Sequence, residues 1–138
     1  MEGGEEFKAY SDADWGTCSF SGRSLTGYCI FFGGCLVSWK TKKQKVTSKS
    51  SCEAELRSMS MTTSEVAWVT GLFEDLKQNF VKPVNLYCDN ISAEYIAHNE
   101  VFHERTKHLK LDCYYIRENI ETGLIATAHV RSANWRMF

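Results

Sequence analysis

Two carboxylates, Asp12 and Asp14, stand two residues apart in KAYSDADW, residues 8–15. The stretch alternates, so both acids point out of one face of the strand it predicts. Two other positions carry acids that solvation alone does not explain. Glu55 opens the series Glu55, Met59, Thr62, Val66, Val69, Phe73, Leu76, whose steps of four and three mark the inward stripe of a helix. Asp89 closes NLYCD, residues 85–89, at the carboxyl end of another predicted strand. Carboxylates held close together repel and resist ionising together, and a divalent cation relieves the repulsion. Hard oxygen ligands favour Mg²⁺ or Mn²⁺. Two such ions about 3.5–4 Å apart clamp a phosphodiester, one activating the attacking water and the other stabilising the leaving oxygen. Each acid also has an ordinary reading: Asp12 ends a strand, Asp89-Asn90 caps the next helix, and Glu55 pairs with a lysine.

The elements that must position these acids follow from the periodicity. Residues 7–13 predict a first strand; 26–34 and 35–41 predict two more, joined as a hairpin at Gly33-Gly34. Ser50 and Glu53 fit a capping box at the start of a long helix over 50–76. A strand over 84–90 follows Pro83, then a short helix over 91–99. Leu109, Cys113, Ile116 and Ile120 share one side of a second helical pattern over 103–123, which Gly123 stops. Residues 124–130 read as a last strand. The order is β-β-β-α-β-α-α-β, an antiparallel meander followed by parallel strands with right-handed crossovers. In open α/β sheets, sites gather at the carboxyl ends of parallel strands. If the first and fourth strands are parallel neighbours, Asp12 and Asp89 meet there and the long helix lays Glu55 over the same edge.

The bulk numbers frame this reading. The chain has 138 residues, 43% apolar and 24% charged, which suits one domain over residues 1–138 with a disordered lead-in over 1–6. No apolar run approaches the roughly 20 residues of a membrane span, and the acidic start lacks an apolar signal core. The six cysteines form no C-x-x-C pair and read as reduced thiols of an intracellular protein, cytoplasmic or nuclear. The net charge of −1 announces no basic field, yet residues 40–49 hold five lysines and no acid. Alone, that segment reads as a solvated loop.

The pieces YSDADWG, RSLTGYCIFFGGCLVSWKTKKQKVTSKSSCEAEL, LYCDNISA and VFHERTKHLKLDCYYIRE give the chain a resemblance to a known family. It is similar to the ribonuclease H domain of copia-type LTR retrotransposon polyproteins, from about residue 9 to about residue 130. The resemblance implies an α/β, ribonuclease H-like fold: a five-stranded mixed sheet of order 3-2-1-4-5 flanked by helices. It implies metal ligation and catalysis by Asp12, Glu55 and Asp89, with Asp14 facing substrate or supporting a ligand and Glu53 serving as a cap. The implied activity is metal-dependent hydrolysis of the RNA strand of RNA/DNA hybrids, with Mg²⁺ or Mn²⁺. With the family in view, Lys42, Lys43 and Lys45 become phosphate contacts. Asn90 either touches substrate or caps a helix, and Trp39 either stacks on substrate or packs in the core. Arg105, Lys107 and Lys110 touch nucleic acid or sit in water. His103 and His108, five residues apart on different helix faces, argue against a zinc site. The family continues past the last strand into a helix bearing a fourth acid; here no acid follows Glu121. The expectation is therefore a free-standing domain without the terminal helix, with weakened catalysis. The alternative is a catalytically dead module that binds nucleic acid, or a host protein covering the sheet surface which that helix leaves exposed.

Overall fold

The computed structural model describes residues 5–16, 22–98 and 107–131. Its elements are β1 (Glu5–Asp14), β2 (Leu25–Phe32), β3 (Cys35–Lys43), α1 (Ser51–Asp75), β4 (Phe80–Cys88), α2 (Ile91–His98), α3 (Lys107–Glu121) and β5 (Ile125–His129). The expected order holds throughout. The strands form one mixed sheet, β3-β2-β1-β4-β5. β1 runs antiparallel to β2 and parallel to β4, β2 antiparallel to β3, and β4 parallel to β5.

β1 shows how the pattern becomes a buried face. Phe7, Ala9 and Ser11 are buried; Lys8 and Asp14 are exposed, and Tyr10 and Asp12 are half-buried. The buried face packs under α1, whose Leu56, Met59, Val66 and Val69 are buried. Val84 and Leu86 of β4 and Leu109, Cys113 and Ile116 of α3 complete the core. Phe7 anchors the end of the sheet away from the acids, with ring centroids 4.6 Å from Phe32, 5.0 Å from Phe73 and 5.3 Å from Phe80. Fully burying the Phe7 ring stabilises the fold by about 1.5–3 kcal/mol.

The boundaries depart from expectation where pairing overrides local pattern. β1 starts at Glu5, so Glu5 and Glu6 belong to the sheet rather than to the lead-in: they pair with Phe80 and Val81 of β4. β4 accordingly begins before Pro83, which falls at the register shift between Glu6 and Lys8, where a missing N–H disturbs no ladder. The helical stripe ends early; Leu76 is the C-cap of α1 and is 69% exposed. Ser50 caps α1 through its hydroxyl, which accepts from Glu53 N–H at 3.2 Å. The Glu53 carboxylate accepts from Lys49 N–H, one residue before the position a capping box prescribes. Gly33 and Gly34 turn the hairpin with φ of 58° and 84°, conformations that favour glycine. The five cysteines among the described residues are free. No helix among the described residues is long and apolar enough to cross a membrane.

Candidate metal centre

The parallel ladder between β1 and β4 ends at Tyr10 opposite Tyr87. Two residues further along each chain stand Asp12 and Asp89. Strict alternation places Asp12 on the face away from α1, but the carboxylates meet beyond the end of the ladder. One oxygen each from Asp12, Glu55 and Asp89 lies within 4.8 Å of the others. Asp12 and Asp89 are half-buried, whereas Glu55 is 3% exposed.

The surroundings hold the group in place. Ala13 N–H donates to Glu55 Oε1 at 2.9 Å and to Asp12 Oδ1 at 2.9 Å, tying the strand end to the helix. The Ser58 hydroxyl, one turn after Glu55, donates to the Asp12 carbonyl at 2.8 Å. His129 Nε2 lies 3.1 Å from the Asp89 carbonyl oxygen, so the last residue of β5 braces the end of β4 without joining the acid cluster. Glu55 Oε2 is buried and has no hydrogen-bond partner.

That orphaned oxygen is the observation on which a cation is tested. Burial, then the charges of Asp89 and Asp12, pushes the Glu55 carboxyl up to about 9. At neutral pH the cluster avoids three adjacent negative charges by keeping a proton, and a divalent cation would take that proton's place. The neighbouring Cys88 is buried, and burial, followed by Glu55, pushes its thiol up to about 12. The atoms that converge are carboxylate oxygens alone, from Asp12, Glu55 and Asp89. Three converging carboxylate oxygens are a hard donor set that fits a divalent cation.

The other expected residues spread more widely. Asp14 is exposed and lies outside the cluster; it is cross-strand from Leu25, which pairs in turn with Lys43. Lys43 and Lys45 are exposed, and Lys42 is half-buried at the β3 edge. Asn90 is a helix cap: its Oδ1 accepts from Ala93 N–H at 2.8 Å. Trp39 is 65% exposed on the edge strand, not in the core. Arg105 and His103 lie outside the described residues, as do the side chains of Lys107 and His108. The expectation that the terminal helix is missing falls on residues 132–138, which are also outside them. The sequence pattern does not mark Ser58 or His129 as supports. The one signal for Ser58 is its place at i+3 from Glu55, on the same helix face; the partner of His129 is a backbone atom, which leaves no signal in the sequence.

No family model matches the chain. Over 122 residues, 88% of this chain, it is 41% identical to the retrovirus-related Pol polyprotein from transposon RE1 of Arabidopsis thaliana. The chain is a segment of the copia-type retrotransposon Pol family. It spans only 8% of the length of that Pol polyprotein. The fold of this Pol segment is that of ribonucleases H. RNase H1 from the archaeon Halobacterium salinarum superimposes with a TM-score of 0.68 at 15% identity, covering 94% of this chain and 88% of that one. LC11-RNase H1, solved in complex with an RNA/DNA hybrid, gives 0.64 at 11% identity, covering 94% and 88%.

Proposed function

We propose that this Pol segment is a divalent-metal-dependent endonuclease that hydrolyses the RNA strand of RNA/DNA hybrids. The observation that carries the reading is the convergence of Asp12, Glu55 and Asp89 around a buried, unpartnered Glu55 oxygen. The likeness to a ribonuclease H seen with a hybrid supports the substrate class. In this reading the three acids hold Mg²⁺ or Mn²⁺, which when bound activates water and neutralises charge on the phosphodiester. Ser58 and the Ala13 N–H keep the strand end and the helix in register with each other. Lys43 and Lys45, with Lys42, attract substrate phosphates, and Arg105 and Lys107 are further candidate phosphate contacts from the sequence. Among the described residues three carboxylates converge, which serves a first ion better than a second, so slow turnover is expected.

The test is cleavage of labelled RNA/DNA hybrid, RNA duplex and single-stranded RNA in Mg²⁺ and in Mn²⁺, with Asp89→Asn alongside. Cutting of the hybrid alone, reduced at least about 100-fold in Asp89→Asn, is the expected result. Binding of hybrid without any cutting supports a non-catalytic module instead. Equal cleavage by the variant and the parent removes Asp89 from the site.

A further inference from the structure

The segment between β3 and α1 mixes exposed cations with two buried polar side chains. Lys45, Val46, Thr47 and Lys49 are exposed, but Gln44 is 4% and Ser48 3% exposed. Every polar end of these two side chains is used. Gln44 Nε2 donates to Thr26 Oγ1 at 2.9 Å and to the Ala54 carbonyl at 3.0 Å. Gln44 Oε1 accepts from the Ser48 hydroxyl at 3.2 Å. The Ser48 hydroxyl also accepts from Arg57 Nε at 3.1 Å, and the Ser48 carbonyl accepts from Trp15 Nε1 at 2.9 Å.

This network joins β2 through Thr26, the end of β1 through Trp15, and the first turns of α1 through Ala54 and Arg57. Ala54 adjoins Glu55, Arg57 is two residues beyond it, and Trp15 is three residues beyond Asp12. Gln44 stands between Lys43 and Lys45, so fixing Gln44 fixes the origin of both cations. The Trp15 ring keeps 51% of its surface exposed while its N–H is committed. A buried, fully satisfied polar network is rigid, whereas a run of lysines alone is not.

We propose that Gln44 and Ser48 are positioning residues: they hold Lys43, Lys45 and the Trp15 ring in fixed relation to the acid centre, so that hybrid phosphates meet cations already in place. This rests on the hybrid-nuclease reading and adds to it what organises substrate binding. Neither residue touches the acids, so their loss acts on KM and leaves kcat alone.

The test compares Ser48→Ala, Ser48→Thr and Trp15→Phe with the parent in steady-state hybrid cleavage. It adds equilibrium hybrid binding in an Asp89→Asn background, with Lys43→Ala made alone and combined with Ser48→Ala. Ser48→Ala is expected to raise KM and Kd about 3- to 10-fold with kcat within about two-fold. Ser48→Thr, which keeps the hydroxyl, returns both to within about two-fold of the parent. Lys43→Ala should weaken binding less once Ser48 is Ala, since an unheld lysine has less to lose. Trp15→Phe removes the indole N–H together with the pyrrole part of the ring, leaves the Ser48 and Gln44 side chains unchanged, and carries the test if Ser48→Ala fails to fold; it should raise KM in the same direction. Additive effects of Ser48→Ala and Lys43→Ala, or a fall in kcat at constant KM, overturn the proposal while leaving the nuclease reading intact. A parent that neither binds nor cuts hybrid overturns both.

Discussion

Glu55 is where sequence pattern, burial and chemistry meet in one side chain. An acid on an apolar helical stripe is anomalous, which made it legible; so were Asp12 and Asp89, each at the carboxyl end of a strand. Its protonation has a measurable consequence. The folded, metal-free protein holds the Glu55 proton up to about pH 9, whereas the reference value is 4.5. Between those values the folded state binds more protons than the unfolded state, so stability falls as pH rises through the window. The melting temperature of the metal-free protein should therefore drop from about pH 5 to about pH 9. Glu55→Gln, which cannot ionise, should flatten that slope. Added Mg²⁺ should stabilise the parent most at the alkaline end, where less proton displacement is required, and should do little for the variant. Parent and Glu55→Gln melting curves that share one pH slope would dismiss the buried carboxyl as its source. Gln44 and Ser48 were not legible in the same way. In a segment with five lysines, polar residues look solvated, and their burial arises only when the loop closes onto Thr26, Ala54 and Trp15.

At the level of elements, α1 positions the centre through its N-terminal turns. Ser50 is extended, with φ −153° and ψ 164°, and caps the helix five residues before Glu55. Ser50→Ala should lower stability by about 1 kcal/mol, read as a lower urea midpoint at unchanged m-value. An unchanged midpoint would mean that the Glu53 bond to Lys49 N–H suffices as a cap. Asn90→Ala should act similarly at α2, where Oδ1 satisfies Ala93 N–H, and should cost about 1 kcal/mol as well. The helix starts were legible because capping chemistry is local. Strand ends were less so, because pairing decides them. Glu5 and Glu6 have no apolar alternation, yet β4 recruits them, and Pro83 reads as a boundary but sits at a register shift inside the strand. Leu76 fits the helical period, yet the helix ends there in solvent, a limit that periodicity cannot express.

At the scale of the whole molecule, strand order converts a chain of net charge −1 into a surface with separated signs. The order β3-β2-β1-β4-β5 is the one the family resemblance implies, whereas the meander and the crossovers alone leave open whether β1 and β4 are neighbours. It puts the acids between β1 and β4 and the lysines on β3, two strands away. Asp12 lies opposite Gly27, which pairs in turn with Thr41, so Asp12 and Lys43 stand two strand spacings and two residues apart, roughly 12 Å along the sheet. Metal-binding acids and phosphate-attracting cations can then serve one backbone without cancelling each other, since about a Debye length separates them at 0.1 M salt. Exposure ranks the cations. Lys43 and Lys45 are exposed and Lys42 is half-buried, so the first two should carry more of the phosphate attraction. For a duplex, each phosphate contact contributes about −0.9 to the slope of log K against log salt. Lys43→Ala and Lys45→Ala should each make that slope for hybrid binding shallower by about one contact, with Lys42→Ala changing it by less. Fluorescence anisotropy over a salt series reads the slope directly. A slope that the triple variant leaves where the parent had it would assign these lysines to solvation, and the hybrid would then be held from elsewhere on the molecule.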